Sequence, residues 1–102
     1  MLNYVKLAHE LDGLWQGKIV GNNGYHFELI ITRRMRFEFL DMVNRNLVTG
    51  KVSMEFHHGI WYIILTGTTE IIVFTLKGKF LKNNHFIFRH HKNKANSPME
   101  WY

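Results

Sequence analysis

A chain of 102 residues that is 46% hydrophobic and 15% aromatic can build one domain, residues 1–102, with its own core. The absence of cysteine excludes a disulfide framework and thiolate metal sites, and it points to a reducing, cytoplasmic setting. The net charge of +5 is lopsided: residues 1–76 carry seven Lys/Arg and seven Asp/Glu, whereas residues 77–102 carry six Lys/Arg against Glu100 alone, a surplus that suits an anionic partner.

Residues 3–11 read as a short helix. Tyr4, Leu7, Ala8 and Leu11 recur at helical spacing, Asn3 can cap the start, and Gly13 follows the end. With one apolar stripe, residues 1–12 are expected to form a lid or plug on whatever follows. No charged-then-apolar leader opens the chain, and no apolar run approaches the roughly 18 residues of a membrane span.

From Leu14 the period changes to two, and residues 14–91 are expected to be strands. Residues 14–20 form the first, the Gly21-Asn22-Asn23-Gly24 turn follows, and residues 25–31 place Tyr25, Phe27, Leu29 and Ile31 opposite His26 and Glu28. Residues 35–42 set Met35, Phe37 and Phe39 against Arg36 and Glu38. Residues 47–56 alternate most cleanly, with Gly50 on the apolar face, where the strand can bend sharply or a neighbour can come close. The bend is the reading adopted.

In residues 60–66 and 70–77 alternation fails, since Ile60, Tyr62, Ile64, Ile71 and Val73 are as apolar as the residues between them. Such strands need cover on both sides. The N-terminal helix or a second copy of the chain could supply it, so a homodimer through the 60–76 hairpin is an expectation. Residues 80–81 and 85–91 continue the series, and residues 92–102 are a basic tail or a closing strand. Turns this short join antiparallel neighbours, so the chain is expected to be all-β: an antiparallel up-and-down meander of seven or eight strands closing into a small barrel, with a short N-terminal helix.

The step Gly13-Leu14-Trp15 sets a glycine able to take positive φ before a large indole that can stopper a core. It resembles the start of the calycins, the lipocalin, avidin and fatty-acid-binding-protein barrels, in which a Gly-x-Trp closes one end. The resemblance implies that a late basic residue, here Arg89, packs over Trp15. No second lipocalin signature or avidin-like ligand set accompanies it, so no family ligand carries over.

Catalytic chemistry has little support. Ser53 and Ser97 lack a nucleophile elbow, and Glu28 and Glu38, on neighbouring strands beside His26 and Arg36, read as surface ion pairs before they read as an acid–base pair. The adjacent pairs His57-His58 and His90-His91 point to opposite faces of a strand and cannot readily chelate one ion. Neither an enzyme nor a cofactor or metal site is therefore expected. The leading expectation is a non-catalytic binder of a small anionic or amphipathic molecule (a fatty acid, nucleotide or cyclic nucleotide), with Arg36, Lys79, Arg89 and His90 as anion contacts and Tyr25 and Tyr62 completing the set. The alternatives are a nucleic-acid module using the basic, aromatic C-terminal strands, and a structural domain that dimerises through its apolar hairpin.

Overall fold

The computed structural model describes residues 4–91. Eight antiparallel strands in sequence order close into a barrel, with β1 hydrogen-bonded to β8. The elements are α1 (Tyr4–Leu11), β1 (Gly13–Ile19), β2 (Phe27–Ile31), β3 (Arg36–Asp41), β4 (Asn46–His57), β5 (Ile60–Thr66), β6 (Ile71–Lys77), β7 (Phe80–Lys82) and β8 (Phe86–His90). The expected all-β meander and its short helix are both present. Closure is made by β8 itself. The Asn3 cap and the basic tail or closing strand of residues 92–102 lie outside the described residues.

Turn chemistry explains the meander. His58 and Gly59, both at positive φ, join β4 to β5 where His57 faces Ile60, the two-residue pattern whose twist matches the flanking strands. Gly78 at φ +60° opens the equally short turn between β6 and β7. The link from β1 to β2 is longer than a tight hairpin, so Tyr25 precedes β2 rather than standing in it.

Period-two alternation points every second residue inward, and the interior is packed with phenylalanine. Phe37, Phe74 and Phe88 are fully buried, and Phe88 lies 5.5 Å from both Phe39 and Phe74, in the edge-on geometry that aromatic quadrupoles favour. Two glycines make room for this filling. A Cβ at Gly17 would collide with the Phe88 ring, and one at Gly50 would collide with the Thr66 carbonyl. At Gly50 the structure thus shows the close approach of neighbouring backbone, the alternative to the bend expected there.

Helix α1 stoppers one end. Leu7 and Leu11 are buried, Tyr4 packs edge-on against Trp61 at 5.0 Å, and Trp15, only 2% exposed, donates its Nε1–H to the Leu11 carbonyl at 2.9 Å. Gly13 has φ +122°, the sharp entry that its place before the indole required. The helix does not cover the outer face of the β5–β6 hairpin, where Ile71 is 67% and Val73 42% exposed. No helix among the described residues is long and apolar enough to cross a membrane.

The residue over Trp15 is His90, not Arg89. Trp15 pairs with His90 across the β1–β8 seam, so these two share the inner face and Arg89 must point out. The His90 ring meets the indole edge-on at 4.5 Å, and its Nε2 lies 2.8 Å from the Asp12 carbonyl, an acceptor that requires this nitrogen to carry the proton.

Candidate functional site

The end opposite α1 is open. There the β3–β4, β5–β6 and β7–β8 turns surround a cavity of about 710 Å3 that opens to solvent. Its floor is apolar: Phe27, Phe39 and Phe86 form a cluster with ring centroids 4.9–6.0 Å apart, and Val48 and Ile72 flank it. Below the cluster the fully buried rings of Phe88, Phe74 and Phe37 occupy the interior. The cavity is therefore a mouth, not a through-channel.

Local hydrogen bonds hold each part of the rim. Asn83 Oδ1 accepts from the amides of His85 and Phe86, both at 2.8 Å, while its Nδ2 donates to the Val73 carbonyl and ties the turn to β6. Gly67 N–H donates to the Glu70 carbonyl at 2.8 Å and shapes the β5–β6 turn. Asp41 accepts from the Val43 and Asn44 amides at 3.0 and 3.1 Å and from Asn44 Nδ2 at 2.9 Å, closing the β3–β4 turn through an Asx-type arrangement. Asn46, Asn84, His85 and Glu70 complete the polar edge.

The hydrogen bonds from Asn44, backbone first and side chain second, with Val43 contributing, favour ionised Asp41 and hold its carboxyl below the usual aspartate value. A folded value below the unfolded one, about 3.9, gives stability that is complete above that unfolded value and lost as pH falls through the folded one. Replacing Asp41 with alanine should therefore flatten the acid limb. A thermal-midpoint series between about pH 2 and 5 checks this, and an unchanged slope in the variant would remove the role given to Asp41.

The residues expected to bind ligand are scattered. Arg36 is exposed on the outer face of β3, opposite Lys51. Lys79 stands in the β6–β7 turn at the helix end, beside Glu10 and Leu76. Tyr62 lies on the outer face of β5, 6.1 Å from the His57 ring. His90 is 2% exposed and belongs to the stopper, so its expected role as an anion contact is corrected to a core one. Lys79 and His90 line the same small cavity at the helix end, and Arg89 and Tyr25 come together on the outer surface, with the guanidinium 4.1 Å over the ring.

Glu28 faces Leu40 and Glu38 faces Ile30, so the two carboxylates are not cross-strand partners. Among the described residues no three His, Asp or Glu side chains are grouped to hold a metal ion. Sequence reasoning missed the mouth because its floor residues each read as core and its asparagines as turn formers. The available signal was the concentration of Asn and Asp in turns at one end of the meander. No family model, curated protein or solved structure matches the chain, so its relation to other barrels rests on architecture alone.

Proposed function

We propose that the chain is a non-catalytic, calycin-like binding module whose open mouth takes a small amphipathic molecule. The observation that carries this reading is the cavity of about 710 Å3 with an aromatic floor and a rim of amides and carboxylates, within the usual size of small-molecule sites. An apolar body sits on Phe27, Phe39 and Phe86, and a polar head reaches Asn46, Asn83 or Asn84. Of the anionic and amphipathic ligands expected from sequence, the mouth favours the second. Asp41 and Glu70 line it, no Lys or Arg among the described residues does, and an acidic rim repels a carboxylate or phosphate and accepts a neutral or cationic head.

Native mass spectrometry of the purified protein and titration with Nile red, a neutral amphiphile, test the proposal. The expected result is one bound molecule per barrel. Replacing Val48 with lysine, which puts a charge at the apolar wall while its stem can reach the rim, should weaken the dye about tenfold, or ~1.4 kcal/mol. Absence of both adduct and dye binding in the parent protein would sink it. The same spectra read the oligomeric state. A dimer would place a second copy on the exposed Ile71 and Val73 face.

A further inference from the structure

The barrel wall opposite the acidic strands has a composition that the mouth does not use. Lys77 pairs with Phe80, Phe80 with Arg89, and Arg89 with Gln16, one continuous row across β6, β7, β8 and β1. Thr75, Lys82, Ile87 and Lys18 form the next row in the same way. Both rows point outward, because the residues between them, Leu76, Leu81, Phe88 and Gly17, face the core. Neighbouring strands are about 4.8 Å apart and the two rows about 6.6 Å. Four cations thus stand on one wall, and these four strands contain no Asp or Glu; Glu28, Glu38 and Glu55 stand on β2, β3 and β4.

Three further features distinguish this wall from a merely solvated basic surface. Phe80, 43% exposed, stands between Lys77 and Arg89, and Tyr25 lies beneath Arg89 at 4.1 Å with the Lys18 ammonium 5.7 Å from its centroid. A shallow pocket of about 350 Å3 lies between Thr75, Lys77, Lys82, Asn83 and Asn84. Gln16 Oε1 and Arg89 Nε, cross-strand neighbours, are buried without a hydrogen-bond partner among the described residues. An exposed ring, that of Phe80, set among cations and amides is what an unpaired strand requires: a base stacks on the ring and phosphates meet the cations.

We infer that the outer wall of β6, β7, β8 and β1 binds single-stranded nucleic acid. Duplex is disfavoured, since Phe80 can receive only an unstacked base. A flat anionic membrane would touch only a narrow strip of this convex wall, whereas a flexible strand can follow its curvature. Lys92 and Lys94 come directly after β8 in sequence and add two positive charges to the chain at that point.

Fluorescence anisotropy of the full chain with a labelled oligo(dT) of about 15 nucleotides tests the assignment. Saturable binding is expected at low salt, with log affinity falling against log salt at a slope of about −3 if four phosphates are engaged. Replacing Phe80 with alanine should weaken binding about tenfold and leave the slope unchanged, and replacing Lys77 and Lys82 together with glutamine should flatten the slope by about 1.4. Saturating Nile red should not displace the oligonucleotide. The inference is overturned by lack of binding at low salt, by full affinity in the Phe80 variant, by displacement with Nile red, or by capture on phosphatidylglycerol vesicles without oligonucleotide binding.

Discussion

Replacing Trp15 with alanine is expected to cost about 3–5 kcal/mol, the range for deleting a large buried aromatic. In a domain of this size, about 4–8 °C is lost per kcal/mol, so the thermal midpoint should fall by more than ~10 °C. Three contacts vanish together. The indole fills the barrel end, meets His90 edge-on, and satisfies the carbonyl of Leu11, one of the last-turn acceptors that a helix cannot satisfy by itself. Eight residues are too few for α1 to persist undocked, so its amides should lose hydrogen-exchange protection in the alanine variant. Phenylalanine at the same position keeps the apolar bulk and gives up mainly the Nε1–H bond, at about 1 kcal/mol. A loss below ~1 kcal/mol for alanine would mean that the helix is held by Leu7 and Leu11 without the stopper.

The strand series was legible because two signals agreed at each step. Alternation gave the faces, and Asn, Gly and His-Gly steps gave the turns, so the short links could join only antiparallel neighbours. What the sequence did not contain was the register of β1 against β8, two strands some seventy residues apart. A slip of one residue exchanges inside for outside along a whole strand. Arg89 was therefore expected over Trp15, and only the Trp15–His90 pairing shows that its neighbour His90 takes that place. The mouth was hidden for a related reason. Its floor comes from Phe27, Val48, Ile72 and Phe86, residues of four strands that look like ordinary core positions until closure brings their ends together. The doubly apolar hairpin was expected to be covered on both faces, but its outer face stands exposed at Ile71 and Val73, because the helix went to the barrel's end, where Leu7 and Leu11 are buried beside Trp15.

The same seam supports a second large effect, at Gly17. Gly17 pairs with Phe88, and a Cβ on it would occupy space held by the Phe88 ring. That ring has nowhere to go: Phe39, Phe74 and Phe86 surround it at 5.5, 5.5 and 5.9 Å, and it is fully buried. An alanine at Gly17 must either force the ring off its rotamer or part β1 from β8, and overpacking of this kind costs about 1–3 kcal/mol. Valine, with two more carbons in the same volume, should exceed that range. Shrinking Phe88 to leucine alone should also destabilise the barrel, by opening a void. If steric conflict is the cause, combining Gly17→Ala with Phe88→Leu should cost at least ~1 kcal/mol less than the two single losses added, because the new methyl occupies the space that the ring vacates. Urea-unfolding midpoints for the four proteins of the cycle measure the coupling. Additivity to within about 0.5 kcal/mol would show that the ring across the seam is a neighbour of Gly17 and not its reason.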